Sequence, residues 1–189
     1  FRVTAEGDVE TANPGTWADA LSPDIGTFDR NRDGGGTVDW QLRLPDDPSG
    51  ENWKEKNKLY LSLTDGEGNK LYTVLFKPQT VSEMSNPNLF LYYSDSDVFL
   101  GSANTGVTTQ YGDPPQWIGF RLEILPTASA GGAGQVRVLA DFDGGGHTEQ
   151  ITATDENFDR FSRFQLLHRN VSSPNFQMFV RGLQVSTVN

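Results

Sequence analysis

The chain has 189 residues, with 25 acidic and 15 basic side chains, and its formal net charge is -10. That charge argues against a nucleic acid partner, because binding to a phosphate backbone requires a basic face. The longest apolar run, Leu71–Phe76, is interrupted by Thr73 and falls far short of the ~20 residues in a membrane-spanning helix. The chain contains no cysteine, and its length suffices for one hydrophobic core without disulfides. We therefore predict one domain over residues 1–189 and no membrane insertion.

The start of the chain and its composition predict an exported protein. The sequence begins with Phe1 rather than Met, as expected for a mature product from which a signal peptide has been removed or for a trimmed chain, and the mature product is favoured. It is acidic, rich in Gly, Ser, Thr and Asn, and contains few Lys residues. We expect a secreted, extracellular or cell-surface location.

Alternation of polar and apolar residues recurs along the chain, whereas no long segment has the spacing of an amphipathic helix. From Thr37 to Leu44, every second side chain is apolar, which predicts a strand with one buried face. Residues Lys58–Leu63 repeat the pattern, and Leu71–Phe76 follows after a turn over residues 65–69 that contains two glycines. These two strands are predicted to form a hairpin.

Six further segments are predicted as strands, for a total of about nine or ten. They are Asn88–Tyr93, Trp117–Leu125, Gln135–Phe142, Thr148–Thr154, Arg163–Arg169 and Phe176–Ser186. In the last segment the apolar positions change phase, which indicates a β-bulge near Gly182. Loops are predicted over residues 11–36, 45–57, 78–87 and 102–116. With one buried face per strand, this content predicts an all-β, two-sheet antiparallel β-sandwich of the jelly-roll type.

The C-terminal third resembles the laminin-G-like branch of the concanavalin A-like lectin/glucanase superfamily. The resemblance covers about residues 115–187 and depends on the Trp-led strand Trp117–Ile124, the strand Gly134–Val138, the aromatic-containing segment Asp155–Phe161 and a closing strand. It implies a curved sandwich that binds glycans or protein on its concave face or rim, often with a calcium ion at the rim. Fold alone does not assign a function.

Residues 29–34 have the D-x-N-x-D-G form of a calcium-binding loop. Oxygens of Asp29, Asn31 and Asp33 on a tightly curled backbone are ligands of the kind that Ca²⁺ prefers. Position 12 of the loop is Trp40 rather than the bidentate Glu of an EF-hand, so an EF-hand is excluded. The alternative is a glycine-rich surface turn in which Asp33 accepts backbone hydrogen bonds. For the acidic segment at residues 141–146, a hairpin turn is favoured over a cation site.

Aromatic residues in polar segments suggest a carbohydrate site, since a ring can stack on the apolar face of a sugar. Trp17, Trp53, Tyr111 and Trp117 stand among Asn, Asp, Gly and Pro, although each ring could instead cap an open end of the sandwich. Trp53, Tyr111 and Trp117 are predicted to bind ligand, together with the outward-facing Arg121 and Glu123.

Arg121 and Glu123 also match the R-x-E strand that the resemblance implies for polysaccharide lyases. The Gln165 and His168 spacing does not match the accompanying Q-x-H strand, and the E-x-D run of the glucanases is missing. The two histidines, His147 and His168, lack partners at metal-ligand spacing. No catalytic residue is therefore assigned.

Three functions compete at this stage. The first is a secreted, non-catalytic carbohydrate-binding or adhesion module with Ca²⁺ as an assisting cofactor and a glycan or a cell-surface or matrix component as partner. The second is a structural subunit of an extracellular matrix, surface layer or filament that self-associates. The third is a polysaccharide lyase or hydrolase.

Overall fold

The computed structural model describes thirteen ranges of the chain. It describes residues 4–10, 17–21, 28–29, 33–43, 58–65, 67, 69–77, 85–93, 98–106, 117–126, 134–155, 160–169 and 177–187. No helix in these ranges is long and apolar enough to cross a membrane.

The described part of the chain forms fourteen strands. They are β1 (Thr4–Glu10), β2 (Trp17–Leu21), β3 (Phe28–Asp29), β4 (Gly36–Arg43), β5 (Lys58–Thr64), β6 (Lys70–Phe76), β7 (Leu89–Tyr93), β8 (Val98–Ala103), β9 (Trp117–Leu125), β10 (Gly134–Asp141), β11 (Thr148–Asp155), β12 (Arg160–Phe161), β13 (Arg163–Arg169) and β14 (Gln177–Thr187).

The strands form two six-stranded antiparallel sheets. Sheet A has the order β1-β14-β4-β9-β10-β11, and sheet B has the order β2-β13-β5-β6-β7-β8. The short strands β3 and β12 pair with each other. Consecutive strands often lie in different sheets, so the chain crosses repeatedly between the two layers. The predicted all-β, two-sheet antiparallel jelly-roll sandwich is confirmed.

The strongly alternating segments lie where the sequence predicts strands. Strands β5 and β6 pair as a hairpin, and the Asp65 carboxylate accepts hydrogen bonds from the backbone N–H groups of Glu67 and Asn69 in its turn. The register of β14 against β4 shifts between Arg181 and Gln184, where Gly182 has a φ of 64°. The predicted bulge is therefore confirmed, and it lies at a residue without a Cβ because that φ is strained for other residues.

The prediction of nine or ten strands is wrong, and the three longest strands that it lacks, β1, β2 and β8, all lie at sheet edges. The predicted loop over residues 11–36 contains β2 and β3, so Trp17 begins a strand and pairs with Arg169 rather than lying in a loop. An edge strand has one neighbour and a less complete buried face, so its residues alternate less clearly than those of a central strand. In β8 the neighbouring side chains Val98 and Phe99 are both largely exposed, at 49% and 58%, so their exposure does not alternate.

The hydrophobic core lies between the two sheets. Sheet A contributes Trp40 and Phe120, whose rings stack with centroids 5.5 Å apart. Phe76 of sheet B packs on Phe120 with a centroid distance of 5.3 Å, which joins the two layers. Leu61 and Phe120 are 2% and 1% exposed, as the predicted register requires. The residues with the opposite register therefore form the outer faces, on which ligands can bind.

Candidate functional site

The outer face of sheet B carries two rows of side chains that run across strands β5 to β8. Their neighbours in sequence point into the core, and the strand pairing brings the outward residues side by side. The first row is Tyr60, Leu75, Phe90 and Ser102, and the second is Ser62, Thr73, Tyr92 and Phe99.

The inner parts of these rows are closed to solvent. Leu75 is 4% exposed although it points away from the inter-sheet core, and the hydroxyls of Ser62 and Thr73 share a hydrogen bond of 2.9 Å. Exposure rises toward the edge strand β8, where Phe99 is 58% exposed. The accessible part of this face therefore lies on β7 and β8.

Three aromatic rings are in contact at that accessible part, and we call Phe90, Tyr92 and Phe99 the aromatic patch. The rings of Phe90 and Tyr92 are stacked with centroids 6.3 Å apart and planes 16° apart. Phe99 meets Tyr92 edge-on at 5.8 Å. Because Phe90 and Tyr92 are half-buried and Phe99 is mostly exposed, the patch offers a rigid apolar surface that remains accessible to a ligand.

Polar groups border the aromatic patch. The Lys77 ammonium lies 4.6 Å from the centroid of the Phe90 ring, within the range of a cation–π interaction. Partial burial raises the pKa of the Tyr92 hydroxyl above its ordinary value of 10.0. The hydroxyl is therefore neutral at physiological pH and can both donate and accept a hydrogen bond. Apolar rings with polar groups at their margin suit a sugar, which has an apolar face and hydroxyls around it.

Trp117, a predicted ligand-binding residue, lies on the outer face of sheet A. The guanidinium of Arg181 is 3.8 Å from the centroid of its ring, and that of Arg43 is 5.1 Å away. Arg181 is held in turn by a 2.7 Å hydrogen bond from its Nε to Gln41 Oε1. A ligand that stacked on Trp117 would compete with these two guanidinium groups.

Arg121 and Glu123 also lie on the outer face of sheet A, and both form ion pairs. Arg121 Nε donates a 2.6 Å hydrogen bond to Asp39 Oδ1, and Glu123 Oε2 lies 3.9 Å from Arg137 Nη1. The structure thus brings Trp117, Arg121 and Glu123 together on one strand face, opposite to the aromatic patch. Their role in ligand binding stays a prediction.

Asp29 and Asp33, two of the predicted calcium ligands, form a hydrogen-bonded turn. Asp33 Oδ2 accepts a 2.8 Å hydrogen bond from Asp29 N, and Asp33 N donates to Asp29 O at 2.9 Å. The Asp29 carboxylate also forms a 3.1 Å ion pair with Arg160. These contacts are those of the alternative surface turn, and a calcium ion would have to share Asp29 with a cation.

The third predicted calcium ligand, Asn31, lies outside the described residues. Within the described ranges, no group of three or more His, Asp or Glu side chains is arranged to hold a metal ion. The calcium assignment therefore stays a prediction. At the other acidic turn, Asp141 Oδ1 accepts hydrogen bonds from the backbone N–H groups of Asp143 and Gly144, as expected for the favoured hairpin turn.

Trp53 and Tyr111 fall outside the described residues, so their predicted role is untested. The sequence interpretation missed Phe90, Phe99 and Lys77, because it looked for aromatic residues in polar loops. One available signal was the apolar pair Val98–Phe99, which directly follows the acidic residues Asp95 and Asp97. The other was the alternation over Asn88–Tyr93, which places Tyr92 and Phe90 on the same face.

Comparison with known proteins finds similarity in structure and none in sequence. No protein-family profile matches the chain, and no curated protein matches it. The VIP36 exoplasmic/lumenal domain in its Ca²⁺- and mannose-bound form is similar with a TM-score of 0.64 and 8% identity, over 100% of this chain and 82% of that chain. Its metal-free form has a TM-score of 0.60 and 8% identity, over 100% of this chain and 84% of that one.

The carbohydrate recognition domain of Emp47p is similar to a comparable degree. Its TM-score is 0.59 at 13% identity, over 98% of this chain and 88% of that chain. At such low identity the similarity concerns the fold alone. This chain has the concanavalin A-like β-sandwich fold, to which these structures are similar.

Proposed function

We propose that this protein is a secreted or cell-surface, non-catalytic module that binds carbohydrate through the aromatic patch. The exposed Phe99, in contact with Tyr92, is the observation that carries the proposal. Phe99 continues a group of three contacting rings, and a contiguous exposed apolar patch marks an interaction site more often than a single exposed ring does. A pyranose ring stacked on Phe99 would cover that apolar surface and lie beside the Tyr92 ring. A longer glycan that follows the patch to Phe90 would meet the Lys77 ammonium there.

The comparisons support this proposal at the level of fold. The Emp47p structure is that of a carbohydrate recognition domain, and the VIP36 structure is that of an exoplasmic/lumenal domain with Ca²⁺ and mannose bound. Those properties belong to these two proteins. Their extension to this chain is part of the proposal, as are its secreted or cell-surface location, its role in adhesion and its place in the laminin-G-like branch.

Calcium is a secondary part of the proposal. VIP36 is known both with Ca²⁺ and in a metal-free form, and residues 29–33 carry the D-x-N-x-D pattern. The hydrogen bonds within the turn and the nearby Arg160 speak against a preformed site. Glycan binding through the aromatic patch does not require the ion.

A glycan array tests the function directly. Purified protein is applied once with millimolar Ca²⁺ and once with a chelator, and bound protein is detected on each glycan. Binding in both conditions supports the proposal without calcium, whereas binding only with Ca²⁺ adds the ion to it. The absence of binding in both conditions would refute a carbohydrate-binding function.

A second candidate is a structural subunit that assembles through its sheet edges. The strand β8 exposes Val98 and Phe99 at the edge of sheet B, and an apolar edge strand is a template for pairing with another chain. This function predicts polymers whose size grows with protein concentration in analytical ultracentrifugation. It also predicts that the protein binds no glycan on the array. A monomer that binds glycans would contradict it.

Lyase or hydrolase activity is a third alternative. The R-x-E residues Arg121 and Glu123 lie within ion pairs with Asp39 and Arg137. Release of unsaturated oligosaccharides from a polysaccharide would establish a lyase.

A further inference from the structure

The outer face of sheet A contains a half-open pocket with polar side chains around a partly apolar lining, on the opposite side of the sandwich from the aromatic patch. Its volume is about 240 Å³. Its floor is Gly119 on the central strand β9, which pairs with Gln41 of β4 on one side and with Asp141 of β10 on the other. The remaining polar walls are Asp39 and His147, and Gly182 in the bulge of β14 borders the pocket.

The missing side chain of Gly119 lets the His147 imidazole lie at this pocket. A Cβ at this position would lie 3.3 Å from His147 Nε2 and 3.4 Å from the Asp141 Cβ, so the imidazole reaches over the glycine. A side chain at this position would therefore press on the imidazole and on Asp141. Gly182, in the bulge of β14, also borders the pocket and has no side chain that could extend into it.

The polar walls are held in position by hydrogen bonds that do not involve a ligand. Asp39 accepts hydrogen bonds from Arg121 and from the Thr37 hydroxyl. Asp141 Oδ1 accepts from the backbone of its own turn. Arg181 donates to Gln41 Oε1, and this contact orients the amide so that its NH₂ group is the donor end. Walls that are fixed in advance lose little conformational entropy on binding.

These groups define the chemistry of the ligand. The carboxylates of Asp39 and Asp141 accept hydrogen bonds, while the Gln41 amide and the His147 imidazole can donate them. Arg121 balances the charge of Asp39, whereas the Asp141 carboxylate accepts hydrogen bonds from its own turn and can accept further ones from ligand hydroxyls. The described residues also contain no cluster of three metal-ligating side chains. A neutral ligand whose groups both donate and accept hydrogen bonds fits best, and neighbouring hydroxyls have that property.

The size of the pocket limits the ligand further. Pockets for drug-sized molecules occupy roughly 300–1,000 Å³, and this one is smaller. We propose that it binds a single neutral sugar residue, as a second subsite on the face opposite to the aromatic patch. The proposal rests on the carbohydrate-binding function and extends it, since a module with two such sites can hold two glycan chains on opposite sides.

Nuclear magnetic resonance of the ¹⁵N-labelled full chain separates the two sites. The probes are the methyl glycosides of glucose, galactose and mannose, titrated to millimolar concentrations. Amide signals of Gly119, His147 and Gly182 report on the pocket, whereas those of Tyr92 and Phe99 report on the aromatic patch. We expect at least one glycoside to shift the pocket signals with a saturable, millimolar dependence.

Two variants test whether those shifts arise from the pocket. Gly119→Ala places a methyl group on the floor, and His147→Ala removes an exposed wall without disturbing the strands. Each should weaken the pocket titration about tenfold or more and leave the patch titration unchanged. Thr152→Ala, an exposed change on the outer face of β11 in the same sheet, is the matched control and should alter neither. If Gly119→Ala does not fold, His147→Ala decides.

The outcomes distinguish this inference from the carbohydrate-binding function itself. Shifts in the patch signals alone would overturn the second subsite and leave the main proposal intact. Pocket shifts that persist unchanged in both variants would also overturn it. If no glycoside shifts either set, the second subsite is refuted, and the glycan array decides the main function independently.

Discussion

Phe99→Ala should separate ligand binding from stability, because the ring is 58% exposed. Burying a whole Phe side chain is worth about 1.5–3 kcal/mol, and Phe99 buries less than half of its surface. The free energy of unfolding should therefore fall by about 1 kcal/mol, including its edge-on contact with Tyr92. In a domain of this size that corresponds to a decrease in Tm of roughly 2–4 °C.

The effect on glycan affinity should be larger than the effect on stability. Truncation of a central aromatic contact commonly costs more than about 1 kcal/mol of binding free energy, and 1–2 kcal/mol corresponds to a roughly 5- to 30-fold increase in Kd. The assay is isothermal titration calorimetry with the strongest glycan from the array, paired with thermal melting. Val98→Ala is the matched control. Val98 is next to Phe99 and is 49% exposed, but it lies opposite Tyr93 rather than Tyr92.

Two results would contradict this reasoning. If Phe99→Ala binds the glycan with the Kd of the wild type while it remains folded, the aromatic patch is not the sugar site. If Val98→Ala weakens binding as much as Phe99→Ala does, the edge strand as a whole matters rather than the ring.

Three further predictions concern the core, the calcium loop and Tyr92. Phe120→Ala should lower the free energy of unfolding by about 3–5 kcal/mol in urea titrations, because the ring is 1% exposed and packs on Trp40 and Phe76. A loss below about 0.5 kcal/mol, as is usual at surface sites, would contradict the assigned register. If Ca²⁺ binds at residues 29–33, an ion concentration of 100 times its Kd should add about 2.7 kcal/mol of stability. Asp33→Asn keeps an oxygen for the turn and should remove most of that gain, so coincident melting curves for both proteins with and without the ion would contradict the calcium site. The raised pKa of Tyr92 favours the folded state below pH 10.0, and this contribution is lost as the pH rises through the folded-state pKa. Wild type should therefore lose more stability than Tyr92→Phe in urea titrations above pH 10.0, and equal losses would show that Tyr92 is not responsible.

The sequence was informative about central strands and less so about edges. In β4 and β9, every second side chain lies between the two sheets, so the apolar periodicity of Val38, Trp40 and Leu42 is visible in the sequence. Strand β8 is paired on one side only and exposes Phe99. Its burial depends on what lies beside it, and this information is not local to the segment.

In the candidate calcium loop too, local sequence predicted the residue types but not their tertiary contacts. The spacing of residues 29–33 predicted oxygen ligands, and the structure places an oxygen of Asp33 on the backbone of Asp29 and Arg160 beside the Asp29 carboxylate. Arg160 is distant in sequence and reaches Asp29 through the pairing of β12 with β3. A pattern of ligand types therefore could not reveal that one of the carboxylates already has a cationic partner.

By itself, the sequence determined the all-β class, the two-sheet sandwich, the hairpin between β5 and β6 and the bulge near Gly182. Each of these follows from side-chain periodicity or from turn residues within a few positions of one another. Only the tertiary structure decided which outward residues become neighbours. The register between the consecutive strands β7 and β8 brings Tyr92 beside Phe99 in the aromatic patch. The pocket at Gly119 combines β4, β9, β10 and β14, because the strand order brings distant segments together. Sites on sheet faces are assembled across strands, so a local pattern shows which residues of one strand share a face but not which residues of other strands lie beside them.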